Sequence, residues 1–340
     1  MPVLVRIWPK CLPYNKRKAM RIIALILVMA TFLVSTVAQA MEEKHMSTQP
    51  KKTLRLLMPQ WQGGDYDLPP STRELYPLGA HLLAFLAPKS DAPLIEVPIT
   101  PYREVAGTKQ NGVVQQDIVL QQLRATRKII DEHSPDRIIM FGGDCLVDQA
   151  PFAYLNERYE GNIGILWIDA HPDISTPKEH DREHAMILGN LLGGGDPTFT
   201  KEVKRHFRAN QVLVVGVSSY NTPAEEKIVT DLGLQVLPPE SIFENSEVVL
   251  RWIQTNKFDN IAIHFDIDAL DPKYFYSQFP RNPNGLPFDT ALGKLTIAQV
   301  TRLVNDISKH ATIVGFGFAE HMPWDAYNLK NMMEQFSFMK

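Results

Sequence analysis

The sequence predicts an α/β protein whose helices cover both faces of a mostly parallel sheet, a three-layer α/β/α arrangement. Three observations point there. Short runs rich in Ile, Val and Leu recur along the chain without the polar alternation of a half-solvated strand. Stretches with helical spacing separate these runs, the order expected of a sheet covered on both sides. Acidic and histidine residues directly follow several of the runs, and ligands of parallel sheets gather beyond the carboxyl ends of the strands.

In chain order, residues 41–52 are polar and are expected to form a disordered lead. Leu54–Met58 is the first expected strand and Pro93–Ile99 the second. Val114–His133 reads as a helix, since Val119, Leu123 and Ile130 fall on one face and Ser134–Pro135 stops it. Arg137–Phe141 is a short buried strand ending at the Gly142–Gly143 turn. Asp148–Arg158 is helix-like and precedes the strand Ile163–Asp169. Further expected strands are Gln211–Val217, Leu234–Leu237, Asn260–Asp266 and Thr312–Phe318. Helical patterns near Thr222–Asp231, Pro239–Asn256 and Thr296–His310 separate them.

The composition, 44% hydrophobic and 21% charged, is that of a globular protein. No low-complexity linker divides the chain after residue 60, so residues 53–340 are read as one large domain. The net charge is −3 with the signs interspersed, and no basic stripe suggests a nucleic-acid partner. Lys16–Arg17–Lys18 and Arg21 precede the apolar run Ile22–Val37, and Ala38–Gln39–Ala40 supplies an A-x-A cleavage pattern. Residues 1–40 therefore read as a secretory signal peptide, giving a periplasmic or secreted mature chain without a stable membrane span. Met20, Met41 and Met46 offer later starts; from Met41 or Met46 the upstream segment would be untranslated and the chain cytoplasmic. Either route removes Cys11, leaving Cys145 with no internal partner.

The most informative stretch is Ile165–Asp173. An apolar run of strand length delivers Asp169, His171 and Asp173 at alternate positions, which share a face if the strand continues or opens gently into a loop. Two carboxylates and an imidazole suit Mn²⁺ or Zn²⁺. About a hundred residues later, Ile261–Asp268 repeats the design with Asp266 and Asp268, and Asp271–Pro272 closes the strand. One acidic residue after a strand more often caps a helix or starts a turn. Two such strands, one carrying D-x-H-x-D, point to metal.

With these motifs the chain resembles the arginase/agmatinase (ureohydrolase) family. Gly142–Gly143–Asp144–Cys145 is similar to the family's G-G-D-H, and Asp169–Asp173 matches D-A-H-x-D. Phe265–Pro272 matches F-D-x-D-x-x-D-P, and Glu320–Pro323 resembles E-x-N-P. The resemblance spans roughly residues 53–325. It implies an arginase-like fold and a metal-dependent hydrolase that cleaves a linear C–N bond, in a guanidino or amidino substrate, by metal-bound hydroxide. Two Mn²⁺ ions are implied: Asp169 and Asp266 bridging, His171 and Asp268 completing one shell, Asp173 and position 145 the other. Glu320 would hold the cationic group, and Asp268 would also accept a hydrogen bond from the hydroxide. His184 would shuttle the proton, with His180 as the weaker candidate. Family members are often trimers or hexamers, so a homo-oligomer is implied.

The chain departs from the family at three places. Cys145 stands where the family has a histidine ligand. Phe279–Leu286 replaces a glycine-rich segment, and the polar loop that grips an amino-acid substrate is not recognisable around Thr176–Glu183. Arginine or agmatine is therefore not implied. Cys145 admits three readings: a thiolate ligand favouring Zn²⁺ or Fe²⁺, a small hydrophobe leaving one metal under-coordinated, or a nucleophile. Loss of that site would leave a mononuclear Asp169–His171–Asp266 centre, as in deacetylase-like amidohydrolases, or a catalytically silent ligand-binding relative.

Overall fold

We describe residues 52–64, 73–101, 108–327 and Met333 in a computed structural model of the chain. The expected signal peptide, and the polar lead apart from Lys52, lie outside these residues. The strands are β1 (Thr53–Met58), β2 (Leu94–Glu96), β3 (Lys109–Gln110), β4 (Val113–Val114), β5 (Arg137–Gly142), β6 (Gly164–Ile168), β7 (Val212–Val215), β8 (Gln235–Leu237), β9 (Asn260–Asp266) and β10 (Thr312–Ala319). The helices are α1 (Leu75–Leu86), α2 (Gln116–His133), α3 (Gln149–Arg158), α4 (Ile187–Leu192), α5 (Pro197–Thr200), α6 (Pro223–Leu232), α7 (Glu247–Asn256) and α8 (Ile297–Ser308). Among the described residues no helix is long and apolar enough to cross a membrane.

Eight strands form one sheet in the order β2-β1-β5-β10-β9-β6-β7-β8, and every neighbouring pair is parallel. Successive side chains sort to opposite faces. Ile165 and Trp167 of β6 enter one core, with Val119, Leu123 and Ile130 of α2 and Phe152 and Leu155 of α3. Leu166 and Ile168 enter the other, with Trp252 and Ile253 of α7 and Val300, Leu303 and Ile307 of α8. Burial on both faces explains why these strands read as unbroken apolar runs. Each fully buried Ile or Leu contributes about 1.5–3 kcal/mol relative to exposure.

The helices start and stop on local chemistry. Thr296 and Gln299 cap α8 reciprocally, and Thr222 caps α6 with Pro223 in its first turn. Gly233 ends α6 in the left-handed conformation, with φ 64°.

The structure corrects several expected boundaries. The second strand is only Leu94–Glu96, because Pro93 and Pro98 bracket it and neither can donate to the ladder. Pro239–Asn256 splits into a 3₁₀ turn, Pro239–Ile242, and α7. Helix α1 was not expected, since Pro77 and Gly79 obscure its pattern. Gly79 is needed because a Cβ there would lie 1.8 Å from the His321 carbonyl oxygen. β6 stops at Ile168, so Asp169 begins a loop.

Candidate metal centre

β5, β10, β9 and β6 are the four central strands, and their carboxyl ends share one edge because all run parallel. Each delivers part of one cluster. After β5 the chain turns at Gly143, where a Cβ would lie 1.7 Å from the Gln60 carbonyl oxygen, so the close backbone approach requires glycine. The Asp144 carboxylate then accepts from Leu146 N at 3.1 Å, Gly63 N at 2.8 Å and Gln60 Nε2 at 2.9 Å. Burial pushes its carboxyl up to about 6 against those bonds. This cap presents Cys145, whose sulfur lies 2.9 Å from Asp266 Oδ2 and 3.8 Å from Glu320 Oε1.

After β6, Asp169 receives the Trp167 indole N–H on Oδ2 at 2.9 Å and the His171 backbone N–H on Oδ1 at 2.7 Å. Asp173 has φ +45°, and its carbonyl accepts from Leu188 N at 2.9 Å. Asp169, His171 and Asp173 thus do not alternate along a strand. Of the two routes the spacing allows, a continued strand or a loop, the chain takes the loop, and it curls at Asp173.

β9 ends in Asp266, whose Oδ1 accepts from Asp268 N at 2.6 Å within a 3₁₀ turn. His171 Nδ1 lies 3.1 Å from Asp268 Oδ2 and 3.5 Å from Asp169 Oδ1. Glu320 follows β10 with φ +60°, held by its N–H on the Gly143 carbonyl at 2.7 Å. A left-handed, non-glycine residue at a cluster is a local cost that the surrounding bonds must hold.

Among the described residues three donor groups result, each with its atoms within 4.8 Å of one another: Asp169–His171–Asp268, Cys145–Asp266–Glu320, and Cys145–Asp169–Asp173–His264. The first differs from the Asp169–His171–Asp266 trio expected for a mononuclear centre, because Asp266 Oδ2 turns towards Cys145. Buried and unpaired in these groups are His171 Nε2, Asp173 Oδ2, Asp268 Oδ1 and His264 Nε2. Burial, then neighbouring negative charge, pushes Asp266, Asp173 and Glu320 well above the ordinary carboxyl range. Burial also raises Asp268, but the charge and hydrogen bond of His171, together with hydrogen bonds to Asp266 and Asp169, hold that carboxyl low. Orphaned donors amid uncompensated buried carboxyls fit a divalent cation, the charge that would reverse these shifts.

His184 sits on a 3₁₀ turn, Glu183–Met186, with Nδ1 3.8 Å from Glu320 Oε1. Burial, then the charge of His180, pushes its imidazole well below the usual range. His180 lies beside it, ring centroids 5.9 Å apart, with Nδ1 accepting from Arg182 N at 3.0 Å. These groups face a cleft of about 120 Å³, walled by Phe279 and Phe288, whose rings are 5.8 Å apart, and by Glu179 and Glu225. Pockets for drug-sized ligands run to several hundred Å³, so this one admits a small head group.

All nine residues singled out in the sequence, His180 included, therefore gather at one sheet edge. Two others were missed, His264 and Asp148. Nδ1 of His264 lies 2.7 Å from Asp148 Oδ2, and both residues are fully buried. Their signal was present: a histidine inside the otherwise apolar run Ile261–Phe265, and an aspartate three residues after Cys145.

A sequence model of the arginase family matches residues 81–325. The chain is 25% identical over 206 residues to an arginase of Entamoeba histolytica, covering 58% of this chain and 68% of that enzyme. It is 23% identical over 201 residues to arginase 2, chloroplastic/mitochondrial, of Arabidopsis thaliana, covering 59% of this chain and 53% of the relative. The crystal structure of the Entamoeba enzyme in complex with L-ornithine superposes with TM-score 0.64 at 20% identity, over 81% of this chain and 92% of that one.

Proposed function

The chain belongs to the arginase family of metal-dependent hydrolases acting on C–N bonds other than peptide bonds, and from that premise we propose that its cleft hydrolyses a linear C–N bond in a small cationic guanidino or amidino compound. The observation that carries the reading is the convergence of Asp169, His171, Asp173, Asp266, Asp268, Cys145 and Glu320 at one sheet edge, with orphaned donors facing inwards.

Asp169, His171, Asp173, Asp266, Asp268 and Cys145 would hold one or two divalent ions. A bound Mn²⁺ or Zn²⁺ supplies a nucleophilic water at neutral pH by lowering its pKa. The side chains do the rest. Asp268 accepts a hydrogen bond from the attacking water and orients it. Glu320, which also hydrogen-bonds Tyr76, pairs with the cationic head. Hydrolysis places the hydroxyl on the substrate carbon and a proton on the departing nitrogen. His184, kept neutral by burial, takes up that proton only transiently and surrenders it readily to the leaving amine.

The rim narrows the substrate. Phe279 and Phe288 supply ring faces, which attract cations, and Glu179 and Glu225 add negative charge. These features support a cation whose other end is apolar or short.

The test is a panel of guanidines, amidines and acetylated amines offered to the Mn²⁺- and Zn²⁺-loaded chain. Metal-dependent release of urea or ammonia supports the reading. Acetate release from acetylated amines alone would replace it with deacetylation. Tight binding without turnover would make the chain a silent ligand-binding relative.

A further inference from the structure

We propose that His264 supplies the imidazole ligand of a metal site completed by Cys145, Asp169 and Asp173. The inference deepens the reading of the cleft as a metal centre and rests on it.

Four observations carry it. The donor atoms of these residues all lie within 4.8 Å of one another, close enough for one ion to gather with small side-chain movements. His264 is 0% exposed, its Nε2 has no hydrogen-bond partner, and that atom lies 3.8 Å from Asp169 Oδ2. Nδ1 is 2.7 Å from Asp148 Oδ2, and with Nδ1–H donating to that carboxylate the Nε2 lone pair is left for the cluster. A carboxylate behind a histidine is the usual support for an imidazole that ligates metal. Finally, the ring is clamped. Trp167 stacks on it at 3.6 Å with an 11° tilt, and the same indole N–H holds Asp169.

The fold makes room for this arrangement. Gly317 of β10 faces Asp148, and a Cβ there would lie 1.8 Å from Asp148 Oδ2. The rival account is a self-contained buried ion pair, His264 protonated against Asp148. In that state Nε2–H would need an acceptor, and 3.8 Å from Asp169 is beyond hydrogen-bond reach. A metal on Nε2 gives that atom the partner it lacks.

The proposal also explains how the chain tolerates Cys145 where its relatives' pattern has a histidine. The imidazole is supplied instead from β9, two strands along the sheet from β5. One sulfur, one nitrogen and two carboxylates form a softer donor set than carboxylates and imidazole alone, favouring Zn²⁺ or Fe²⁺ over Mn²⁺.

The experiment measures zinc per chain, zinc affinity by competition with a chromophoric chelator, and the electronic spectrum of the Co²⁺ form. Wild type, His264→Asn, Asp148→Asn and His171→Ala are compared, with circular dichroism checking the fold. Wild type should bind two ions and show thiolate-to-cobalt charge transfer. His264→Asn should lose one ion and that band, whereas His171→Ala should lose the other ion and keep the band. Asp148→Asn should keep both ions at saturation, with one bound about 10–100-fold more weakly. If His264→Asn does not fold, the Asp148→Asn affinity decides. Unchanged stoichiometry, affinity and spectrum in the folded variants would overturn the proposal, as would a wild type binding fewer than two ions. Two bound ions without turnover of the guanidine panel would sink the proposed activity and leave this site standing.

Discussion

The sulfur of Cys145 lies 2.9 Å from Oδ2 of Asp266, closer than a water molecule could separate them. A thiol so deeply buried resists ionisation, and its four carboxylate neighbours add to that resistance. A thiolate ligand there depends on a soft cation. Cys145→Ser should therefore lower zinc affinity at least about tenfold and change manganese affinity far less. Competition titrations of both metals check this, and equal losses for the two would argue against sulfur ligation.

Asp268 serves two roles in the proposed chemistry, contacting His171 and orienting water. Asp268→Ala should reduce kcat at least about 100-fold on any substrate found by the panel. Full activity in that variant would remove the central assignment.

His184 and Glu320 are 3.8 Å apart but should separate kinetically. Glu320→Gln removes the charge that pairs with the substrate and should act mainly on KM. His184→Gln should act mainly on kcat, by roughly 10²–10⁴-fold, with KM little changed. Steady-state kinetics on both variants decides it, and a reversed split would exchange the two roles.

Metal removal should have a pH signature. In the unfolded chain Asp173, Asp266 and Glu320 titrate at about 4. In the folded, metal-free chain burial and neighbouring charge hold them well above that. Over that interval the folded state binds more protons than the unfolded one. The chelated protein should thus lose stability as pH rises from about 4 upwards. Metal binding runs the other way, because its ligands must shed protons. The drop in Tm on chelation should be larger near pH 8 than near pH 5, and scanning calorimetry would show whether it is.

Gly143→Ala should destabilise the fold by at least about 2 kcal/mol, since its Cβ would meet the Gln60 carbonyl at 1.7 Å and neither backbone can yield. Denaturant midpoints measure this, and a neutral change would mean that the turn after β5 is softer than it looks.

How much of this was legible in the sequence depends on range. The buried strands announced themselves because both faces of the sheet are covered, and Ile163–Asp169 and Asn260–Asp266 fell within a residue or so of β6 and β9. The cluster was legible because its ligands come from strand ends with recognisable spacing. Their true arrangement was not, because Asp173 and Glu320 adopt left-handed backbone conformations that depend on tertiary bonds. Helix α1 escaped notice because its glycine answers to His321, which lies far along the chain. His264 escaped because a lone histidine in an apolar strand gains meaning only beside Asp148, a pairing across 116 residues.

Among the described residues β9 and β10 are the last strands in chain order, yet they stand at the middle of the sheet. Until they emerge from the ribosome, β5 and β6 each keep one edge without a neighbour, and neither half of the sheet can close on the other. Open edges of this kind are where chains adhere to other copies of themselves. Long-range parallel pairing is also slow to form. The nascent protein is therefore most exposed to aggregation late in synthesis, and a chain terminated just short of β10 would fail as a folding unit rather than as an impaired catalyst.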